Sequence, residues 1–276
     1  MDILETLMRL PRSLSLLFLG CASLFAQPVP AKHARVELIA ENTGVTPGHK
    51  LLLGVHFQLE KDWHMYWINP GDSGQPPVIR WQLPSGFSVE EVQWPRPEKL
   101  KSSQSADYVF KDDLLLMIPM TVPSSLNSNS PAVDLNADVN WLICREICLA
   151  DRARLHLALP VSSTPSPDKR HAQLFGHARQ LLPQAWPARW KATATSNKDD
   201  FVLSITAGKP LREAEFFPLE FSQIDNGAPQ PWRVTAQGAR ITLKKSEQLV
   251  KPVSTLRGLL VTRDGRAYEL AAPVVQ

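Results

Sequence analysis

The sequence is poor in cysteine, in long apolar runs and in helical patterns. It has only three cysteines among 276 residues, at positions 21, 144 and 148. After residue 26 no stretch approaches the ~20 consecutive apolar residues that span a bilayer, so we expect no membrane-spanning helix there. Its 30 basic and 27 acidic residues nearly balance, and no basic run alternates with aromatic residues. Nothing in the sequence therefore indicates nucleic-acid binding.

Residues 1–26 have the pattern of an export signal. Arg9 and Arg12 precede the apolar run Leu14 to Leu19, and small residues follow up to Ala26. Cleavage after Ala26 predicts a mature protein in the periplasm. The alternative is a membrane-anchored lipoprotein, since Leu19-Gly20-Cys21 resembles a lipidation motif.

The mature chain then contains only Cys144 and Cys148, within the stretch Trp141-Leu142-Ile143-Cys144-Arg145-Glu146-Ile147-Cys148. Disulfides persist in exported proteins, and so close a pair can form one across the mouth of a tight hairpin. A disulfide that closes so small a loop stabilises little. We therefore favour a dithiol that exchanges with a partner's disulfide, which needs no cofactor. A structural disulfide and metal ligation by the pair are the alternatives.

The residues between the cysteines act on them in opposite directions. Arg145 would favour a thiolate, whereas Glu146 would oppose it. The sequence therefore does not fix the pKa of either thiol.

Short apolar or alternating runs, cut by turn residues and 24 prolines, predict an all-β protein. Eight short strands without a long helix indicate a β-sandwich, and a similar pattern returns near the C-terminus. The predicted strands are Val36 to Ala40, Leu51 to Leu59, His64 to Ile68, Val78 to Leu83, Val89 to Trp94, Leu114 to Val122, Val133 to Cys144, Arg154 to Val161, Phe201 to Thr206, Glu215 to Phe221, Trp232 to Thr235, Arg240 to Leu243, Leu256 to Thr262 and Ala267 to Ala271.

The pattern also predicts domain boundaries. A first sandwich at residues 27–161 contains both cysteines, and residues 162–189 form a linker and a short amphipathic helix ended by Pro183. Residues 190–276 form a second, smaller sandwich, in which Arg263-Asp264-Gly265-Arg266 is a hairpin turn. The second sandwich has no cysteine, so we expect a packing or partner-docking module.

Trp63-His64-Met65-Tyr66-Trp67 is a dense aromatic cluster. Such clusters usually belong to a core, and the alternative is a surface that shields or recognises something. His64 and Met65 are also possible copper ligands, although a packed histidine is the simpler interpretation. The cluster precedes Asn69-Pro70-Gly71-Asp72-Ser73-Gly74, the strongest turn signal of the chain.

These motifs resemble the periplasmic N-terminal domain of DsbD-type thiol:disulfide interchange proteins. Three further motifs share the resemblance: Ile79-Arg80-Trp81, Trp94-Pro95-Arg96-Pro97 and Tyr108-Val109-Phe110-Lys111-Asp112. The resemblance covers about residues 36–161 and is strongest to the branch associated with suppression of copper sensitivity. It implies immunoglobulin-like sandwiches and a role in electron transfer, in settings such as cytochrome c biogenesis and copper tolerance.

The resemblance also implies residue roles and partners. Cys148 would join the partner in a mixed disulfide, and Cys144 would resolve it. A membrane electron-conducting protein would supply electrons, and thioredoxin-like periplasmic oxidoreductases or isomerases would receive them. Seven residues of the aromatic cluster and the cysteine motif would shield the pair or recognise the partner: Trp63, His64, Tyr66, Trp67, Trp141, Arg145 and Glu146.

Two departures from the family pattern limit this comparison. The sequence has no transmembrane segment or thioredoxin-like domain, so we expect it to need partners on both sides of its electron transfer. The family's aromatic cap loop corresponds to Lys101 to Asp107, which has no aromatic residue. Tyr108 or Phe110 would have to serve instead. The rival functions are a copper-binding protein that uses the cysteine pair and a binding module with a structural disulfide.

Overall fold

The computed structural model describes residues 28–103 and 105–275. The predicted signal peptide and lipidation site at Cys21 lie outside the described residues. Within the described ranges the chain forms eighteen strands and one helix. No helix in these ranges is long and apolar enough to cross a membrane.

The first eleven strands form two sheets. Their bounds are β1 (Val29–Ala31), β2 (Ala34–Ala40), β3 (Lys50–Leu59), β4 (His64–Gly71), β5 (Val78–Gln82), β6 (Ser88–Val89), β7 (Glu98–Lys101), β8 (Ala106–Lys111), β9 (Asp113–Thr121), β10 (Ala132–Cys144) and β11 (Cys148–Pro160). One sheet has the order β1-β2-β3-β9-β6. The other has the order β11-β10-β4-β8-β7, with β5 also paired to β10.

The two sheets enclose one core, which follows from the period of two in their strands. Every second residue of β10 from Val133 to Ile143 is buried, and the same holds for β3 from Leu51 to Phe57. Trp141 of β10 meets Phe57 of β3 edge to face at 5.4 Å, so the buried faces of the two sheets are in contact. Each large apolar side chain buried in this way contributes about 1.5–3 kcal/mol. The predicted immunoglobulin-like sandwich is therefore confirmed.

Helix α1 (Ala172–Leu181) packs on the outer side of the first sheet. Phe175 and Ala178 contact Ile39 and Met117 in a small separate apolar cluster. Leu182 then adopts an extended conformation, as expected for the residue before a proline. The predicted helix, ended by Pro183, is thus present.

The remaining seven strands form the second sandwich. They are β12 (Lys191–Ser196), β13 (Asp200–Thr206), β14 (Ala214–Pro218), β15 (Trp232–Thr235), β16 (Gly238–Lys244), β17 (Thr255–Thr262) and β18 (Ala267–Val275). Their order is β14-β17-β18-β12-β13-β16-β15. Buried residues from strands far apart in this order, such as Phe216 of β14 and Ile241 of β16, belong to one core cluster, so the strands fold over a common interior. Phe217 and Leu259 instead join the core of the first sandwich. The boundaries between domains stay a prediction.

Several of the predicted strands are wrong in extent. The strand expected to begin at Arg154 begins at Cys148, and the strand expected to end at Ala271 reaches Val275. Regular pairing of the expected strand Val89 to Trp94 ends at Val89. Glu90 then donates to Pro119 and Gln93 to Met117, so one extra residue interrupts the ladder as in a β-bulge. The strand expected to reach Phe221 ends at Pro218. Four strands were not predicted, namely β1, β7, β8 and β12.

The first sheet contains a buried histidine between two carboxylates. His56 Nδ1 lies 2.9 Å from Glu37 and its Nε2 2.9 Å from Asp113. Burial lowers the pKa of His56, but the hydrogen bonds and charges of Glu37 and Asp113 outweigh it and the pKa is raised. A raised histidine pKa gives stability that is complete below the unfolded pKa of about 6.5 and is lost as pH rises through the folded pKa.

We therefore predict that His56→Gln lowers the free energy of unfolding by about 1.5–3 kcal/mol at pH 5.5, and by less at pH 9. Glutamine keeps hydrogen-bonding capacity but cannot carry the proton. Urea unfolding at both pH values measures the difference. His156→Gln is the control, since His156 forms an exposed pair with Asp134. An equal loss at both pH values would contradict the charged state of His56.

Candidate redox site

The two cysteines close the hairpin between β10 and β11. These strands pair in register over their whole length, and Cys144 is the direct cross-strand partner of Cys148. The two form a disulfide, with their Cα atoms 4.2 Å apart. The loop between them is Arg145 to Ile147, in which the Arg145 N–H donates to the Ile147 carbonyl at 3.2 Å. The pair thus lies at a hairpin mouth.

The two sulfur-bearing residues differ in access to solvent. Cys144 is 2% exposed and belongs to an apolar cluster with Tyr66 and Val109. Cys148 is exposed, as are all three loop residues. Ile147, beside Cys148, is 63% exposed. A protein that approaches the hairpin tip therefore meets Cys148, while Cys144 lies beneath it.

Tyr66 lies beside the accessible cysteine. Its hydroxyl oxygen is 3.5 Å from Cys148 Sγ, within hydrogen-bonding range for sulfur. Burial raises the pKa of Tyr66, the charge of Asp107 raises it further, and a hydrogen bond with Ser73 opposes them. The phenol is therefore protonated at neutral pH and has a proton to donate toward the sulfur.

His64 flanks the buried cysteine. It is the cross-strand partner of Cys144, and its ring lies edge to face with Tyr66 at 5.5 Å. Burial lowers the pKa of His64, with Asp107 opposing and Lys111 adding to this effect. The imidazole next to the pair is therefore neutral at neutral pH.

Trp63 supports the tip of the hairpin. Its ring stacks on His33 at 3.8 Å, and the guanidinium of Arg145 lies 5.2 Å from the ring centroid. A cation over an aromatic face is favourable, so this contact orients the chain that follows Cys144. Glu146 is exposed at the same tip.

Four other residues selected from the sequence lie in the core of the first sandwich. They are Trp67, Tyr108, Phe110 and Trp141. Tyr108 contacts Trp67 and Phe217, and Phe110 stacks on Trp94. The structure therefore does not bring them to the sulfurs, and neither Tyr108 nor Phe110 takes the position of a cap. The region that corresponds to the cap loop is a turn closed by Ser102 and Ser105.

The two possible copper ligands of β4 point away from each other. Successive side chains of a strand lie on opposite faces: His64 is on the cysteine side, whereas Met65 is buried in the sandwich core. The two cannot bind one ion together. Within residues 28–103 and 105–275 no cluster of three histidine, cysteine or acidic side chains has the geometry of a metal site.

Sequence reasoning missed the residues that hold Tyr66. Ser73 and Asp107 are bonded to each other, with the Ser73 hydroxyl donating to Asp107 at 2.7 Å. Gly74 lies against the Tyr66 ring. The turn signal around Gly71 and Gly74 marked this segment, but no local pattern relates it to a tyrosine eight residues earlier.

Residues 29–160 match the family model described as thiol:disulfide interchange protein DsbD, N-terminal. The solved N-terminal periplasmic domain of ScsB from Proteus mirabilis is similar in fold, with a TM-score of 0.66 and 16% identity over 91% of this chain and 97% of that one. The YadV chaperone (TM-score 0.23, 14% identity, 86% and 99% coverage) and the periplasmic chaperone SfaE (0.22, 8%, 86% and 98%) are too dissimilar to inform the fold. A search of curated proteins found no match.

The difference in exposure predicts different reactivities. After reduction, we expect iodoacetamide to modify Cys148 in the Cys144→Ser variant roughly tenfold faster than Cys144 in the Cys148→Ser variant, because only Cys148 is accessible. Mass spectrometry over time measures both rates. Repeating the reaction in urea is the control, since unfolding should make the rates similar. Equal rates in the folded proteins would contradict the buried position of Cys144.

Proposed function

Because residues 29–160 belong to the family of DsbD N-terminal domains, we propose that this protein passes electrons between a membrane reductant conductor and periplasmic redox partners. Cys148 is the sulfur that exchanges with the partner, and Cys144 is the resolving sulfur. The observation that carries this assignment is the contrast between exposed Cys148 and buried Cys144 at one hairpin mouth.

The reaction moves two electrons and two protons. In the reduced protein the Cys148 thiolate attacks the partner's disulfide, so a Cys148–partner bond forms and the partner's second sulfur leaves as a thiolate that takes up a proton. Cys144 then attacks Cys148 Sγ as a thiolate, restores the intramolecular disulfide and releases the partner's first sulfur as a second thiol. The partner is reduced, and this protein is oxidised. The same steps in reverse, with a reduced donor protein, reduce the Cys144–Cys148 disulfide again.

The surroundings of the pair suit both steps. The Tyr66 hydroxyl, 3.5 Å from Cys148 Sγ, can donate to the Cys148 thiolate, and a hydrogen bond to an ionised acceptor is stronger than one to a neutral acceptor. Cys144 needs no access to the partner, since the hairpin register already keeps it opposite Cys148. The neutral imidazole of His64 is beside Cys144 and is a suitable proton acceptor for its thiol.

The partners would be thioredoxin-like oxidoreductases or isomerases and a membrane electron-conducting protein. The tip of the hairpin supports this proposal, because Ile147 is a large exposed apolar side chain directly beside the exchanging sulfur. Arg145 and Glu146 add charges of both signs on the same loop. An exported, periplasmic location is part of the proposal, since exchange requires a compartment in which disulfides form.

The reduction potential of the Cys144/Cys148 couple tests the proposal first. We expect a reversible two-electron transition between about −150 and −280 mV, the range of exchange proteins. Equilibration of the metal-free protein in glutathione or dithiothreitol buffers, followed by thiol counting, gives the value. A pair that stays oxidised below about −300 mV would be a structural disulfide and would refute the proposal.

The order of the two cysteines has its own test. Cys144→Ser should accumulate a mixed disulfide with a thioredoxin-like protein that keeps only its exposed active-site cysteine and carries thionitrobenzoate on it, because Cys148 displaces thionitrobenzoate and neither protein has a second thiol to resolve the product. Cys148→Ser should form none and should lose transfer while keeping its fold. Non-reducing gels with the double serine variant as the blank distinguish the two. Trapping through Cys144 instead would reverse the assigned roles.

A further inference from the structure

The second sandwich forms hydrogen bonds with the turn at Asn69 to Gly74, which lies at the end of β4. The Asn69 amide donates to the backbone carbonyls of Pro218 at 2.8 Å and Glu220 at 3.2 Å. The Asn226 amide donates to Asp72 at 2.7 Å, and its oxygen accepts the Tyr108 hydroxyl at 2.9 Å. Both asparagines are buried, so the bonds of Asn69 to Pro218 and of Tyr108 to Asn226 form away from bulk water.

Asp72 connects Asn226 to the strand beside the site. One carboxylate oxygen accepts from Asn226, and the other accepts the backbone N–H of Ala106 at 2.7 Å. The Asp72 N–H donates in return to the Ala106 carbonyl at 3.1 Å. Asp72 thus links Asn226 of the second sandwich to the contact between the turn at Asn69 to Gly74 and the start of β8.

This turn determines where Tyr66 lies. A Cβ atom on Gly74 would be 2.2 Å from Cζ of Tyr66, and Gly74 has a φ of +78°. The glycine backbone therefore lies directly on the phenol ring, and movement of the turn would remove this contact from one face of the ring. The hydroxyl of that ring is the group 3.5 Å from Cys148 Sγ.

We propose that Asn226 is a positioning residue for the redox pair: through Asp72 and the turn ending at Gly74 it keeps the Tyr66 hydroxyl at Cys148. The second sandwich would then take part in the exchange reaction by holding the donor to the thiolate. This inference rests on the proposed function, because it assigns the role of Tyr66 in the exchange at Cys148.

The test measures the thiolate of Cys148 in the Cys144→Ser background. The pH dependence of its reaction with iodoacetamide gives the pKa of Cys148. We expect Tyr66→Phe and Asn226→Ala each to raise that pKa and to slow the reaction at pH 7 about three- to tenfold, the effect of losing one hydrogen bond. The double variant should be no slower than Tyr66→Phe alone, since Asn226 acts through Tyr66.

Two further variants distinguish positioning from general destabilisation. Gln230→Ala is the matched control, because the Gln230 amide bonds only to the backbone of Phe216 within the second sandwich and should leave the pKa of Cys148 unchanged. Asp72→Ala breaks the same connection at an exposed residue and should raise the pKa of Cys148 as Asn226→Ala does. If Asn226→Ala does not fold, Asp72→Ala tests the inference in its place.

An unchanged pKa in Asn226→Ala and Asp72→Ala, or additive effects in the double variant, would overturn the inference. Either result can be told apart from failure of the proposed function. If the proposed function fails, the wild-type disulfide itself stays oxidised below about −300 mV, whatever the variants do.

Discussion

The in-register pairing of β10 and β11 is the constraint on which the site depends. It runs without interruption from Ala132 opposite Pro160 to Cys144 opposite Cys148. Because side chains alternate between the two faces of a sheet, a slip by one residue would turn Cys144 toward the sandwich core. The buried alternate residues of β10, from Val133 to Ile143, prevent that slip. Packing of the core therefore sets the positions of the sulfurs.

The same alternation separates the chemistry from the stability of the fold. On β4, Met65 and Trp67 face the core of the sandwich, whereas His64 and Tyr66 face the cysteines. The apolar cluster around Cys144 is small and lies on the outer face of its sheet. The site side chains Tyr66, His64 and Cys144 are nevertheless buried, so they also contribute apolar contact on the outer face of their sheet.

Much of this arrangement follows from local sequence patterns. Alternation in β3 and β10 predicted the sandwich, and the spacing of Cys144 and Cys148 predicted a hairpin mouth. The difference in exposure between the two sulfurs has no local signal, since it depends on Tyr66 and Val109 from other strands. Aromatic content alone also failed to distinguish core residues from site residues, because Trp67 and Tyr66 are neighbours with opposite orientations.

The contacts of the second sandwich were the least predictable. Asn226 follows Asp72 by 154 residues, and their hydrogen bond depends on how the two sandwiches pack against each other. Such a contact has no period or spacing that a sequence pattern reports. Its sequence appearance, a single asparagine before a glycine in a loop, is that of an ordinary turn residue.

The lack of an aromatic cap has a consequence for selectivity. The sequence from Lys101 to Asp107 contains no aromatic or large apolar residue that could cover Cys148, which is exposed in this structure. A pair without a cover cannot depend on displacement of a loop to choose its partners. Under the proposed function, selection would rest on what surrounds the sulfur: the exposed Ile147, the Arg145 side chain over Trp63, and the hydroxyl of Tyr66. Under the proposed function, a partner would be recognised by its complementarity to the hairpin tip, of which the turn at Asn69 to Gly74 forms part of the support through Tyr66.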